Sequence, residues 1–354
     1  MAKLHESPVC LAVLNPKGRD PFLDYREGVD AYRRGVHPPI NFHAYAASTF
    51  GLFCDSVDQV RKHRSRIDAA VVLIRKRTWI TLRAVRELKE AGIPVVVSWK
   101  ECGPAQINRQ LSPSRATDAY GEILKLADGI VSPTLACPPR CGEMGNDEFW
   151  RKMKFIPTPY PVEYPDWDFS LPLQERSGIM IGTREFRGVD RNHIQAILWL
   201  SGLARDLNLP RITVINSEKN KGMKKLGELS RLFPPNSLQI LEKPLCYPDY
   251  LALLASHRLI FQMDRSGVPG QVAGDCLLAG NLCAGGDSAI ESIAFPLFRD
   301  NGSARWKEVF EKIEQLMEDE KSYEKEVKRS QEIAAKELSF AAAGINFGKW
   351  LHSL

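Results

Sequence analysis

The chain has 354 residues, 44% of them hydrophobic and 26% charged, an ordinary globular make-up that excludes disordered and collagen-like classes. Its length exceeds one ordinary core and predicts two domains of comparable size. The formal charge of +5 is a modest excess without a nucleic-acid-binding motif, although runs such as Arg61-Lys62-His63-Arg64-Ser65-Arg66 and Arg75-Lys76-Arg77 leave an anionic acceptor, phospholipid headgroups or nucleic acid open as partners.

At the start of the chain, Met1 to Pro8 lack the basic head and long apolar core of a secretory signal, and no window reaches the roughly 20 apolar residues that cross a bilayer. A cytoplasmic protein is expected, with peripheral membrane contact left open. Val9-Cys10-Leu11-Ala12-Val13-Leu14 reads as a strand that ends at the polar loop Asn15-Pro16-Lys17-Gly18-Arg19-Asp20. A second strand, Ala69 to Ile74, precedes a helix in which Leu82, Val85 and Leu88 recur at helical spacing until Gly92 ends it. Pro94 to Trp99 is the next strand, and Ala127-Asp128-Gly129-Ile130-Val131-Ser132 repeats the pattern of helix end, strand and loop. Lys154-Phe155-Ile156-Pro157 closes the first half as a short strand. Continuous apolar strands joined through helices indicate a parallel sheet covered on both faces.

Five prolines between Pro157 and Pro172 then mark an ordered connection. The alternation restarts at Gly178-Ile179-Met180-Ile181-Gly182, continues through a helix from about Asn192 to Leu207, and adds strands at Arg211 to Ile215 and Leu259 to Met263, with a short helix at Tyr250 to Ala255 between them. From Ser303, a candidate N-cap, the tail reads as helix with Trp306, Val309, Phe310, Ile313, Leu316 and Met317 on one face. Phe340 to Leu351 forms a last helix. The eight cysteines include no CxxC pair; Cys137 and Cys141 lack two further ligands at zinc-site spacing, so reduced thiols and no metal are expected.

Two loops carry the chemistry. Gly182-Thr183-Arg184-Glu185-Phe186-Arg187-Gly188 follows a strand and precedes a helix; glycine lets backbone approach a ligand, and Arg184 and Arg187 can neutralise a diphosphate. Asp264-Arg265-Ser266-Gly267-Val268-Pro269-Gly270-Gln271 leads into a second helix, whose small residues leave backbone N–H groups free for an anion. Asp275, one to two turns inside that helix, is placed to accept from ribose hydroxyls. In the first half, Asn15, Lys17, Arg19, His43, Lys100 and Glu101 are candidate acceptor contacts.

These residues resemble those of the GT-B glycosyltransferases, especially the group of retaining bacterial hexosyl- and mannosyltransferases (glycosyltransferase family 4-like), most strongly from about Ile179 to Glu291. The resemblance implies two doubly wound, parallel-sheet, Rossmann-like α/β domains facing a cleft: 1–168 for the acceptor, 169–335 for the nucleotide-sugar donor, and a helix in 336–354 crossing back to the first domain. It implies that Arg184 and Arg187 hold the donor diphosphate, with Gly182, Thr183, Ser266, Gly267, Gly270, Gln271 and Asp275 around the nucleotide sugar. Pro244 and Leu245 would meet the nucleobase, and His43 would touch the sugar as a catalytic group beside Arg184, Arg187 and Asp275. The group's paired glutamates are matched only in part: Asp275 stands for the second and Gly267 occupies the place of the first.

The expected reaction is transfer of a hexosyl group from a nucleotide-diphosphate sugar, with UDP or GDP as carrier, to an acceptor hydroxyl on a glycan, lipid-linked or small molecule. No cofactor or metal is required. A nucleotide-sugar 2-epimerase and a non-catalytic nucleotide-sugar-binding protein are the alternatives, the latter motivated by Gly267.

Overall fold

The computed structural model describes residues 9–17, 38–100, 103–141, 144–183, 186, 189–243, 245–299 and 306–354. The chain divides into two compact units, Met1–Asp166 with Glu337–Leu354, and Trp167–Lys336.

In the first unit six parallel strands, β1 (Leu11–Leu14), β2 (Leu52–Cys54), β3 (Ala69–Ile74), β4 (Val95–Trp99), β5 (Gly129–Ser132) and β6 (Met153–Phe155), lie in the order β2-β1-β3-β4-β5-β6. The period-two alternation of strand side chains divides their apolar residues between two cores. Ala12 and Leu14 of β1, with Ala70, Val72 and Ile74 of β3, pack with Val60, Leu82, Val85, Leu88 and Ile123 from the helices Val57–Lys62, Thr78–Glu90 and Ser114–Leu126. On the opposite face, Leu11 and Val13 with Ala69, Val71 and Leu73 meet Phe42, Tyr45, Phe347 and Trp350. The last two come from the helix Phe340–Leu351, which is therefore part of the first unit's core: Phe347 stands edge-on to Tyr45 at 5.2 Å between ring centroids. Ser339 caps this helix by accepting from the Ala342 N–H.

In the second unit five parallel strands, β7 (Ile179–Ile181), β8 (Ile212–Ile215), β9 (Leu238–Leu241), β10 (Leu259–Phe261) and β11 (Leu282–Ala284), lie in the order β11-β10-β7-β8-β9. The first strand in sequence is thus central, and the order reverses between β7 and β10. The proline-rich connection is ordered by short 3-10 turns at Pro165–Trp167 and Leu173–Glu175, and its Phe169 N–H donates to the Leu278 carbonyl. The tail folds as two helices, Trp306–Glu318 and Glu320–Glu337; Val309, Ile313 and Leu316 of the expected stripe are buried, and Ser303 lies outside the described residues.

His257, just before β10, ties the sheet to a neighbouring helix: its Nδ1–H donates to the Leu253 carbonyl at 2.8 Å, and its Nε2 pairs with Thr213 Oγ1 at 2.7 Å. Burial lowers its pKa from 6.5 to about 4, opposed by the Leu253 bond and aided by Arg211. The folded value lies below the unfolded one, so the unfolded chain binds the proton first as pH falls. Stability held by the neutral imidazole is whole above pH 6.5 and is lost toward pH 4. In urea unfolding, the free-energy gap between the parent and His257→Gln is expected to close by roughly 3 kcal/mol across that window. A gap that stays constant would show that His257 does not titrate differently in the two states.

Candidate functional site

Ligands of open parallel sheets lie beyond the carboxyl ends of the strands, where the strand order reverses. In the second unit that place is the end of β7 beside the end of β10. Gly182 leaves β7 with its N–H donating to the Phe261 carbonyl at 2.9 Å. A Cβ here would stand 2.6 Å from Val272 Cγ1, so the missing side chain is what allows the first turn of the helix Gln271–Leu278 to close on β7. Arg184 and Arg187, with Gly188, lie outside the described residues.

Thr183 is buried, and its Oγ1 shares a hydrogen bond of 2.9 Å with Nδ1 of His193. His193 opens the helix His193–Asp206 at 2% exposure, edge-on to Phe186 at 4.5 Å between centroids. Burial pushes its pKa down to about 4, so the ring is neutral at physiological pH. Its Nε2 has no hydrogen-bond partner among the described residues.

The loop after β10 is held from inside. Asp264 accepts from the N–H and the hydroxyl of Ser266 through Oδ1 and pairs with Arg191 through Oδ2. Ser266 is thus committed to the loop's own structure. Gly267 has φ +59, in the left-handed region that disfavours a side chain, and its N–H donates to Asp287 Oδ1 at 3.2 Å. Gly270, with φ +104, is the N-cap of the helix Gln271–Leu278. Among the helix's first-turn residues there is no acidic side chain and no side-chain cap, which leaves its terminal N–H groups available to an anion.

Asp275 lies on that helix at 1% exposure. Tyr247, from the start of the helix Tyr247–Ala255, donates its hydroxyl proton to Asp275 Oδ1 at 2.5 Å, while Oδ2 has no partner among the described residues. Burial raises the pKa from 3.8 to about 8, with the Tyr247 bond pulling it back. A buried polar atom without a partner costs on the order of 1–3 kcal/mol, a cost that a hydrogen-bonding group placed at Oδ2 would offset. Glu291, also fully buried, is different: its oxygens accept from Gly286 N, Ser288 N and Gln262 Nε2 at 3.0–3.1 Å. Its bonds complete a capping box with Ser288, a structural task.

Leu245 stands 41% exposed before the helix Tyr247–Ala255, and Pro244 lies outside the described residues. In the first unit, Asn15 and Lys17 follow β1 and Lys100 follows β4. His43 is 3% exposed in the helix Phe42–Ser48, its ring stacked on Phe53 of β2 at 3.7 Å. Arg19 and Glu101 lie outside the described residues.

The fold recurs in solved structures. A glycosyltransferase from Rickettsia africae ESF-5 superposes with a TM-score of 0.62 over 98% of each chain at 12% identity. The E. coli trehalose-6-phosphate protein bound with UDP-2-fluoro glucose gives a TM-score of 0.58 over 84% of this chain and 76% of that one at 12% identity. An α,α-trehalose-phosphate synthase (UDP-forming) from Burkholderia xenovorans in complex with glucose-6-phosphate gives 0.58 over 88% and 77% at 11% identity. The chain has the GT-B fold. At these identities the likeness is one of fold. No model of a known protein family matches the sequence, and no curated protein is similar to it in sequence.

Within the second unit the ends of β7 and β10 bring together Gly182, Thr183, Ser266, Gly267, Gly270, Gln271 and Asp275. Sequence reasoning missed His193, Tyr247 and Arg191, and quoted Asp264 without its partner. A lone histidine after Asn192 carries no local signal, and the partners of the other three are 28 and 73 residues away.

Proposed function

We propose that the protein is a glycosyltransferase that moves a hexosyl group from a nucleotide-diphosphate sugar to an acceptor hydroxyl, with the second unit holding the donor. The observation that carries this reading is Asp275: a buried carboxyl with one oxygen fixed by Tyr247 and the other unpartnered, beside an uncapped helix N-terminus at the point where the strand order reverses. A ribose hydroxyl satisfies Oδ2, and the diphosphate satisfies the helix N–H groups. Support also comes from solved proteins of this fold, one bound with UDP-2-fluoro glucose and one with glucose-6-phosphate.

In the reaction the bond between the anomeric carbon and the diphosphate oxygen breaks, its electron pair leaving with the diphosphate. The acceptor oxygen bonds to that carbon, and its proton is released. Arg184, Arg187 and the N–H groups of the helix Gln271–Leu278 stabilise the charge that develops on the leaving group. On this reading neither a cofactor nor a metal is required. Thr183 directly precedes Arg184 in the chain and holds His193, whose neutral imidazole offers Nε2 to the donor.

A second reading, nucleotide-sugar binding without turnover, is favoured by Gly267, which has no side chain to act on the sugar. Thermal-shift screening of nucleoside diphosphates and nucleotide sugars, followed by product analysis with the donor that stabilises most, separates the two. Stabilisation with glycoside product supports transfer; stabilisation without product under any acceptor supports binding alone, and no stabilisation by any nucleotide removes both. Among the described residues no helix is long and apolar enough to cross a membrane; a cytoplasmic, peripherally associated enzyme is part of this proposal.

A further inference from the structure

We propose that the first unit carries an anion-binding site at its own strand-order reversal, between β1 and β3, and that it takes a phosphorylated, hydroxyl-bearing acceptor such as a sugar phosphate. The role as acceptor site rests on the sugar-transfer reading above; the anion site itself does not.

Three independent features meet there. Lys17 leaves β1 and Arg75-Lys76-Arg77 leaves β3, and these strands are paired neighbours with Leu14 opposite Val72. None of the four cations forms an ion pair among the described residues. They are close enough that, after burial, the fields of Arg75, Arg77 and Lys76 lower the pKa of Lys17. Like charges gathered with no ion-paired carboxylate among the described residues destabilise one another, and an anion removes that repulsion.

The second feature is the helix Thr78–Glu90, which begins directly after Arg77. Its first turn holds no acidic side chain, and no side chain caps it, so its positive end adds to the same field. Trp79 in that turn carries the Arg115 guanidinium over its ring at 4.7 Å, a further cation nearby.

The third feature is Asn15, the residue that follows β1, which is 1% exposed with Oδ1 unpartnered among the described residues. An acceptor oxygen takes a hydrogen from a hydroxyl, not from a fully ionised phosphate. Cations for a phosphoryl group next to a buried acceptor for a hydroxyl describe a ligand with both groups. Asn15 is 1% exposed, a depth that a free small ligand reaches and that a lipid surface or a nucleic-acid backbone lying on the cations does not.

The experiment is calorimetry on the full chain with glucose 6-phosphate, inorganic phosphate and glucose as probes, and with anionic phosphatidylglycerol vesicles and a single-stranded oligonucleotide as competing arms. Glucose 6-phosphate is expected to bind more tightly than inorganic phosphate, and glucose not measurably. The double variant Arg75→Gln/Arg77→Gln is expected to lose at least about tenfold for both phosphates, with affinity falling as salt rises. Asn15→Ala should weaken glucose 6-phosphate but not inorganic phosphate, a split that general unfolding does not produce. Equal affinity of parent and double variant, or binding only to vesicles or oligonucleotide, overturns the proposal. UDP titrated into the same proteins separates the two readings. UDP binding with no phosphate binding sinks the anion site alone; phosphate binding with no UDP binding sinks the donor reading and leaves the anion site standing.

Discussion

Asp275→Asn is expected to stabilise the ligand-free protein while weakening its hold on the donor. The folded pKa of Asp275 lies near 8 against 3.8 for the free group, the reverse of the usual aspartate case. Between those values the folded state keeps a proton that the unfolded state has lost, so stability falls as pH rises from 3.8 to about 8. The full swing is about 6 kcal/mol. Asparagine has no proton to keep, and its Oδ1 still accepts from Tyr247. The stability of the variant relative to the parent should therefore grow across that window, read as a rising difference in urea unfolding free energy.

The same substitution replaces Oδ2, which as a hydroxyl can donate to the ligand and once ionised can accept from it, with an amide nitrogen that only donates. It is expected to lower donor affinity by about 1.5–3 kcal/mol, roughly tenfold to over a hundredfold. A variant that binds nucleotide as well as the parent makes Asp275 a bystander. A difference in stability that is flat with pH would show instead that its carboxyl is ionised in the fold.

The second large effect is at the arginine loop. The double variant Arg184→Ala/Arg187→Ala is expected to abolish measurable nucleoside diphosphate binding, because two charge-assisted contacts to a diphosphate contribute together about 3–6 kcal/mol. The unfolding free energy should stay within about 1 kcal/mol of the parent, since side chains that act on a ligand do little for an empty fold. Calorimetry with UDP and GDP reads the first quantity and urea unfolding the second. Unchanged nucleotide affinity would remove the diphosphate assignment.

The central strands were legible because burial on both faces writes itself as a continuous apolar run: β1, β3, β4, β7, β8 and β10 all sit inside their sheets. The edge strands β2 and β9 do not stand out in that way. β2 is three residues long, and β9 is only half-buried with Gln239 pointing outward, so neither rises above its surroundings. The start of the helix Pro104–Leu111 was readable in principle from Gly103-Pro104, a glycine cap followed by proline in the first turn.

In the candidate site, the glycines and Asp275 stand out in the sequence because each departs from its local pattern. Asp275 is the charged residue in a helix otherwise apolar or small from Val272 to Ala279, and such a residue is either a defect or a ligand group. What the sequence could not convey is which oxygen is already taken. Tyr247 reaches Asp275 across 28 residues, and Arg191 reaches Asp264 across 73; both contacts exist only once the strands are ordered. His193 is buried by Phe186 and by the end of β7, and nothing in its immediate neighbours predicts that.

The discontinuity of the first unit sets the order in which the protein can be finished on the ribosome. Residues up to Asp166 emerge first, yet Phe347 and Trp350 belong to the same core as Leu11, Val13 and Tyr45. The unit made first must wait with that face of its sheet uncovered while all of Trp167–Lys336 is synthesised. The unit made second has its whole core in hand earlier, so the usual rule that the leading domain folds first is inverted for the nascent chain. The uncovered interval is the time in which the growing chain most needs protection from aggregation, and the synthesis of the last helix ends it.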